Sequence, residues 1–180
     1  MKKILSILLA ILCIPISAFA ISLTTLQNNP ERYLKVNEGS DATIYLDTYS
    51  VKSIRYAPPY YTLSAKIYFV HYPYDYISLC SQTFNYDYNY SMSSTVKRII
   101  IYMNQNDETI DYDVVTSRTE TALQEHSGIT YSMTHLAAWK FQGQLLKTPS
   151  NETISDDAAY PEISYWIAQA VFKTYYNQDF

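Results

Sequence analysis

The stretch "FNYDYNYSM", residues 84–92, carries an aromatic ring at every second position. The rings belong to Phe84, Tyr86, Tyr88 and Tyr90, and an Asn or Asp stands between each pair. Because successive side chains of a β-strand point to opposite faces, this alternation predicts a strand with one aromatic face and one polar face. We therefore expect the rings to meet the core or a helix packed on the sheet.

Further segments predict a mostly antiparallel sheet. They are rich in β-branched and aromatic residues, and turn residues separate them. The segment at about 61–72 has apolar side chains on both faces, which is typical of a central strand covered on each side. The predicted strands are 33–37, 42–47, 50–55, about 61–72, 79–90, 96–104, 109–115, "ITYSM" (129–133) and "AAWKFQGQLL" (137–146).

Two segments predict helices. Ser117 and Glu120 have the spacing of a capping box, and Gly128 suits a helix end, so a short helix is expected at 118–126. The C-terminal segment predicts a longer helix at 161–176. Its apolar face consists of Ile163, Trp166, Ile167, Ala170, Val171, Thr174 and Tyr175. The predicted fold class is α+β, with six to eight short, mostly antiparallel strands and a C-terminal amphipathic helix packed on one face of the sheet.

The first twenty residues, "MKKILSILLAILCIPISAFA", predict a secretory signal peptide cleaved after Ala20. Two lysines precede an apolar run that Pro15 interrupts, and a membrane-spanning helix would need about 20 uninterrupted apolar residues. The sequence thus predicts a single exported domain, residues 21–180, without a transmembrane segment after cleavage. Its expected location is the periplasm or the cell surface.

Charge narrows the range of expected partners. The full chain has a net charge of −4, and removing a signal peptide that contains two lysines and no acidic residue leaves −6. Nucleic acids and anionic membranes attract basic surfaces, so neither is expected as a partner.

Cys80 is the only cysteine beyond residue 20, so no intramolecular disulfide is expected in the exported domain. Its apolar neighbours predict a buried, unreactive thiol. A reactive or intermolecularly paired thiol is the alternative.

The sequence has no glycine-rich phosphate loop, no GxSxG and no CxxC motif. Neither an enzyme nor a bound metal or cofactor is therefore predicted. The histidines and acid pairs with potential for chemistry are His71, His126, His135, Asp107–Glu108, Asp111/Asp113 and Asp156–Asp157.

Tyrosine is the most unusual part of the composition, with 20 Tyr against 6 Phe and 2 Trp. Tyrosine suits half-buried positions where the hydroxyl reaches water or a partner, and it often anchors protein interfaces. Its high strand propensity offers a purely structural explanation as well. The predicted partner-binding residues are Tyr74, Tyr76, Tyr86, Tyr88 and Tyr90, of which the first two, in a loop, are the better candidates for an exposed face.

The segment "ATIYLDTYSVKSI", residues 42–54, resembles part of the surface-adhesin protein E family. In that family a strand ends in a tyrosine, a hydrophobe and Asp, and a short Ser/Thr turn leads into a second strand. The order of elements is also similar over roughly residues 31–103. The chain departs from the family at Tyr33, where a tryptophan is frequent, and in having only Cys80 where a cysteine pair is frequent.

The resemblance implies a small exported antiparallel-sheet protein of the bacterial envelope, whose relatives bind host extracellular-matrix proteins. It also implies that Asp47 forms a turn. The first functional hypothesis is accordingly a non-enzymatic, adhesin-like module that docks a host matrix or envelope protein. The alternatives are a small envelope enzyme or ligand carrier with a cleft between sheet and helix, and a structural envelope subunit.

Overall fold

The computed structural model describes residues 21–147, 150 and 152–180, and the predicted signal peptide lies outside them. The elements within these residues are α1 (Leu23–Gln27), β1 (Tyr33–Glu38), β2 (Ala42–Ala57), β3 (Tyr60–His71), β4 (Tyr76–Asp87), α2 (Met92–Gln105), α3 (Tyr112–Glu125), β5 (Ile129–Lys140), β6 (Leu145–Lys147), β7 (Thr153–Asp157) and α4 (Ile163–Tyr176). The seven described strands form one antiparallel sheet in the order β1-β2-β3-β4-β5, and β6 and β7 both pair with the outer edge of β5. The predicted α+β fold class is confirmed.

The larger core lies between α4 and one face of the sheet. Strand β3 contributes Leu63 and Ile67 to this face, and α4 contributes Ala168, Val171 and Phe172, with each side chain at most 2% exposed. Burying a large apolar side chain stabilises a fold by about 1.5–3 kcal/mol. This contact therefore holds α4 flat against the sheet.

The opposite face of the sheet is only partly covered. Tyr68 and Val70 of β3 pack there with Leu26 of α1 and Trp139 of β5 in a second core. The two faces of β3 are thus both apolar, as its sequence predicts for a central strand. Beyond this second core the face is polar and open to solvent, with Lys66 exposed.

Strand β2 corrects the prediction of two strands separated by a turn at Thr48 and Tyr49. The chain continues as a single strand, and the extra residues form a bulge between Asp47 and Lys52. Within the bulge the Ser50 hydroxyl hydrogen-bonds to main-chain groups of both strands. It donates to the Asp47 carbonyl of β2 at 2.6 Å and accepts from the Lys66 amide of β3 at 2.8 Å. Strand β2 therefore stays paired with β3 on both sides of the bulge.

The family resemblance implied that Asp47 forms a turn, and this expectation is wrong. The residue lies within β2, paired with Tyr33 of β1 and Lys66 of β3. Asp47 is 3% exposed, and both of its carboxylate oxygens accept hydrogen bonds from Arg32 at 3.1 Å. Asp47 is thus half of an ion pair at the edge of the open face.

The predicted strand at 96–104 is wrong, because this segment belongs to helix α2. Ser91 caps the helix by accepting a hydrogen bond from the Ser94 amide at 3.2 Å. Val96, Ile99 and Met103 recur at helical spacing, and Met103 is buried. The cap and this period outweigh the strand propensity of three consecutive isoleucines.

The predicted strand at 109–115 is also wrong, and the predicted helix at 118–126 is only the second half of α3. Asp111 caps α3 by accepting from the amides of Asp113 and Val114 at 2.9 and 3.2 Å. The capping box expected at Ser117 is therefore interior to the helix. Helices α2 and α3 pack on each other as a pair inserted between β4 and β5.

Gly128 does not end α3, which stops at Glu125. It has a φ of +71°, and a Cβ atom there would lie 2.5 Å from the Cβ of Tyr90 and 2.9 Å from the carbonyl oxygen of Asp87. Its own carbonyl accepts a hydrogen bond from the Asp87 amide at 2.8 Å. Glycine is required because the chain returns from the helical pair to the sheet at this point.

The two strands predicted at 129–133 and 137–146 are instead the long strand β5 and the short strand β6, with a bulge in β5 beside Leu136. Strand β7 and helix α1 lie in segments for which neither a strand nor a helix is predicted.

Helix α4 begins two residues later than predicted, and its buried face is rotated from the expected one. Ile167 and Val171 are buried as expected, whereas Trp166 is 41% exposed. Tyr165 and Phe172, which the prediction left off the face, are fully buried. The indole of Trp166 instead donates a hydrogen bond to the Pro161 carbonyl at 3.0 Å.

The rings of Phe84, Tyr86 and Tyr88, which we call the aromatic ladder, form one wall of the larger core, as the alternation predicts. Phe84 and Tyr86 face α4, and Asn85 lies on the open face. The strand ends at Asp87, three residues earlier than expected, and a 3₁₀ turn follows at Tyr88–Tyr90. Tyr88 nevertheless keeps its ring against the same core.

Replacing Tyr86 should reveal its core role. Tyr86→Phe removes the hydrogen bond from its hydroxyl to the Ala168 carbonyl and is expected to cost about 1 kcal/mol in the free energy of unfolding. Tyr86→Ser leaves a cavity and is expected to cost about 3–5 kcal/mol. Chemical denaturation measures both.

Tyr112→Ser is the matched control, because Tyr112 is 82% exposed and should change stability by less than about 0.5 kcal/mol. A Tyr86→Ser protein as stable as the parent would contradict the placement of this ring in the core.

Candidate binding surface

The five tyrosines predicted to bind a partner occupy different environments. Tyr86 is 1% exposed, and its hydroxyl donates to the Ala168 carbonyl at 2.8 Å. Burial raises the pKa of Tyr86, so the phenol remains a neutral donor. Its ring centroid lies 5.0 Å from that of Phe172 and 5.1 Å from that of Phe180. From this position Tyr86 cannot contact a partner, which corrects its assignment as a binding residue.

Tyr88 and Tyr90 are half-buried, and their rings pack on different neighbours. The Tyr88 ring packs on Phe172 and Phe180, with centroid distances of 6.1 and 5.7 Å. The Tyr90 ring packs edge-to-face on the imidazole of His126, with 4.2 Å between the ring centroids. The Arg98 guanidinium lies 5.1 Å from the centroid of the Tyr90 ring. Tyr90 thus connects the end of β4 to both inserted helices.

Tyr74 and Tyr76 lie together at the β3–β4 connection. Tyr74 is 68% exposed in a 3₁₀ turn, and its ring centroid is 6.3 Å from that of Tyr76. The Tyr76 ring stacks on the His71 imidazole with 4.4 Å between the ring centroids, and the His71 Nε2 lies 3.3 Å from the Ser78 hydroxyl. Burial lowers the pKa of His71, which favours its neutral imidazole. At this corner only the ring of Tyr74 is well exposed to solvent, since Tyr76 is half-buried.

A larger exposed aromatic surface lies at the other end of the sheet. Tyr56 and Tyr61 come from the β2–β3 hairpin, and Tyr175 and Tyr176 come from the last turn of α4. We call these four residues the tyrosine patch. Tyr56 is 68% and Tyr175 46% exposed, whereas Tyr61 and Tyr176 are half-buried.

The rings of the tyrosine patch contact one another in a continuous array. The centroid distances are 5.5 Å from Tyr56 to Tyr61, 5.4 Å from Tyr61 to Tyr176 and 4.9 Å from Tyr176 to Tyr175. Phe172 supports the array from the core, at 5.7 Å from Tyr61 and 4.7 Å from Tyr176. Edge-to-face and tilted pairs at such distances are favourable, so the rings are held in place before any partner arrives.

Sequence reasoning missed the tyrosine patch as a unit. The segment "APPYY", residues 57–61, lies in the tyrosine-rich part of the sequence, but Tyr175 follows more than a hundred residues later. The available signal was the pair of adjacent tyrosines at the end of an amphipathic helix. Their position beside the β2–β3 hairpin depends on how α4 crosses the sheet.

The histidines and acid pairs lie on separate elements. His71 ends β3, His126 follows α3, and His135 lies on β5 as the register partner of Cys80. Burial and the nearby Lys147 lower the pKa of His135.

Asp107 and Glu108 lie in the loop before α3, Asp111 and Asp113 lie at the N-terminus of α3, and Asp156 and Asp157 lie on β7. Within residues 21–147, 150 and 152–180, no group of three or more His, Cys, Asp or Glu side chains is placed to hold a metal ion.

The space between α4 and the sheet, where an enzyme or carrier was hypothesised to have its cleft, is filled by side chains. Tyr86, Tyr165, Phe172 and Phe180 occupy it and are each at most 1% exposed. Two shallower concave sites lie on the open face instead. One, of about 310 Å³, lies beside the β2 bulge, and the other, of about 340 Å³, lies where β5 meets β7.

Cys80 is a free thiol, 5% exposed, so the predicted burial is confirmed. Burial raises the pKa of Cys80 to about 11. Because the thiolate is the reactive form, a raised pKa lowers its reactivity at neutral pH.

Thiol labelling tests this directly. A Cys13→Ser background leaves Cys80 as the only cysteine of the chain. At pH 8 a pKa of about 11 leaves only ~0.1% thiolate. We expect a maleimide probe, followed by mass spectrometry, to label the folded protein much more slowly than the protein in guanidinium chloride. Equal labelling rates in the two states would contradict the burial, and Cys80→Ser provides the blank.

No helix in the described part of the chain is long and apolar enough to cross a membrane. Comparison of the chain with protein-family models, with curated proteins and with solved structures found no match in any of the three. The resemblance to the surface-adhesin protein E family therefore stays a prediction.

Proposed function

We propose that this chain is an exported bacterial envelope protein without enzymatic activity, which docks a protein partner through its tyrosine-rich surface. The observation that carries the proposal is the tyrosine patch. It joins two well-exposed rings, Tyr56 and Tyr175, to the half-buried Tyr61 and Tyr176 in one contiguous surface.

The chemistry of the tyrosine patch suits a protein partner. A tyrosine ring supplies a large contact area with only two rotatable side-chain bonds, so ordering it on binding costs little entropy. The supporting contacts with Phe172 reduce that cost further, because Tyr61 and Tyr176 are already packed. Hot spots of protein interfaces are enriched in tyrosine for the same reason.

Two further exposed rings lie outside the tyrosine patch, and each has an arginine beside it. Tyr60 is 47% exposed beside Arg55, whose guanidinium lies 5.8 Å from the ring centroid. Tyr49 is 73% exposed, and the Arg32 guanidinium lies 5.8 Å from its ring centroid. Tyrosine and arginine are residue types that interfaces favour. Tyr49 and Arg32 line the concave site beside the β2 bulge, so they are not counted with the tyrosine patch.

Tyr74 and Tyr76 offer a second, smaller contact at the opposite end of the sheet. Tyr76 is committed to its stack on His71, so Tyr74 provides most of the exposed ring area. We rank this corner below the tyrosine patch because fewer rings are contiguous there.

Export is supported by the N-terminal segment, in which two lysines precede an apolar run and Ala18-Phe19-Ala20. The host-matrix or envelope identity of the partner rests on the resemblance of residues 42–54 to the adhesin family. Both belong to the proposal.

The proposal is tested by removing the exposed rings and measuring partner capture. The double variant Tyr56→Ser/Tyr175→Ser should lose most binding to the partner, since removal of a hot-spot residue typically costs about 2 kcal/mol or more. Its melting temperature should stay close to that of the parent because both rings are exposed. Biolayer interferometry against purified extracellular-matrix proteins and pull-down from envelope extracts provide the binding readout.

Tyr102→Ser/Tyr112→Ser is the matched control, because these tyrosines are 57% and 82% exposed on the inserted helices. Tyr56→Phe/Tyr175→Phe keeps the rings and should retain most of the binding. Partner capture that is equal in the double-serine variant and the parent would overturn the role of the tyrosine patch, and capture of no protein by the parent would overturn the proposed function.

A further inference from the structure

The concave site beside the β2 bulge is lined mainly by cationic side chains, whereas the site where β5 meets β7 has only acidic ones among its charged residues. It has a volume of about 310 Å³ and lies on the open face of the sheet. Its charged lining residues are Arg32, Asp47, Lys52 and Lys66. We call this site the basic pocket.

The acidic residue of the basic pocket is already neutralised. Arg32 donates from Nε and from one terminal nitrogen to the two carboxylate oxygens of Asp47, both at 3.1 Å. Two-pronged pairs of this kind are the strongest arginine–carboxylate contacts. Asp47 is 4% exposed at its side chain, so Arg32 is held in place and the pair contributes little net charge to the cavity.

Two lysines remain to set the charge of the basic pocket. Lys52 pairs in register with Ser64, and Lys66 pairs with Ser81, so both ammonium groups rise from neighbouring positions of the same face. Both residues are exposed. Among the described residues, neither lysine has a carboxylate oxygen within 4.0 Å.

Hydroxyl groups complete the wall. Ser64 and Ser81 are half-buried and line the cavity between the lysines. The Ser50 hydroxyl is used within the bulge, where it donates to the Asp47 carbonyl and accepts from the Lys66 amide. These bonds fix the backbone from which Lys66 projects.

The charge of the basic pocket is opposite to that of the whole protein. Its four charged residues sum to +2, whereas the chain carries −4. A concave surface of one sign concentrates counter-ions of the other sign, and lysine and hydroxyl donors match the terminal oxygens of phosphate and sulfate groups. We propose that the basic pocket binds a tetrahedral oxyanion, namely the phosphate or sulfate group of a small anion or of a larger ligand.

The proposal is independent of the tyrosine patch, since the basic pocket faces away from α4. Isothermal titration calorimetry of the purified protein at low ionic strength tests it with three probes, namely inorganic phosphate, inorganic sulfate and a heparin-derived oligosaccharide. Acetate, a planar anion, is titrated for comparison. At least one should bind, and Lys52→Ala/Lys66→Ala should weaken that binding by about tenfold or more. Added sodium chloride should also weaken it, because exposed charges are screened.

Lys97→Ala/Lys147→Ala is the matched control, since both lysines are exposed and neither lines the cavity. It removes the same charge and should leave the affinity within about twofold. Circular dichroism verifies that both double variants are folded. Arg32 stays unchanged throughout because it neutralises the buried Asp47.

The three probes distinguish the source of the oxyanion. Lysine-dependent binding of the oligosaccharide alone identifies a sulfate ester on a sugar, and lysine-dependent binding of inorganic phosphate or sulfate identifies a small anion; both support the proposal. No binding of any probe, equal loss in the two double variants, or tighter binding of acetate than of all three probes would overturn it.

Discussion

The packing of α4 on the sheet is the contact on which the other features of this protein depend. The rings of Tyr86, Phe172 and Phe180 meet within 5.3 Å of one another and are each at most 1% exposed. The Tyr86 hydroxyl adds a buried hydrogen bond to the helix backbone. Because three large rings must share one space, the crossing position of α4 is fixed. Its last turn is thereby placed beside the β2–β3 hairpin, where Tyr175 and Tyr176 join Tyr56 and Tyr61.

Irregularities in β2 shape both proposed binding surfaces. Strand β1 pairs with β2 only as far as Asp47, and the exposed Tyr49 and Tyr56 lie beyond that point. The register shift between Asp47 and Lys52 brings Lys52 to the face that carries Lys66, which creates the basic pocket. A second register shift, between Ser53 and Arg55, places Tyr56 opposite Tyr61 on the face of α4. The cationic cavity and the aromatic surface therefore lie on different faces of a single hairpin.

Periodicity predicted the sheet well and the inserted helices poorly. Strand β3 and the ladder at Phe84 and Tyr86 have an unambiguous period of two, and both form strands as expected. The segment at 96–104 satisfies a strand pattern and a helix pattern at once, since Ile99 and Met103 fit both. The Ser91 cap and the contact with α3 decide in favour of the helix, and the second of these is not local in sequence. The Ser50 hydroxyl that carries β2 through its bulge is likewise a tertiary contact, because its acceptor role involves β3.

By itself the sequence determined the α+β class, the central position of β3, the inward face of the aromatic ladder and the burial of Cys80. Each of these follows from the order of apolar and polar side chains within one short segment, so it does not depend on distant parts of the chain. Only the tertiary structure decided which tyrosines reach solvent. Tyr86 and Tyr56 are both strand residues of the same chemical type, yet one is 1% and the other 68% exposed. Tyr56 and Tyr86 lie in one row across the sheet, because each pairs in register with Tyr61 of β3. The physical reason for the difference is that Phe172 and Phe180 cover the ring of Tyr86, whereas Tyr56 lies on β2 beyond the residues that pair with β1. Such coverage is set by packing between residues far apart in the chain.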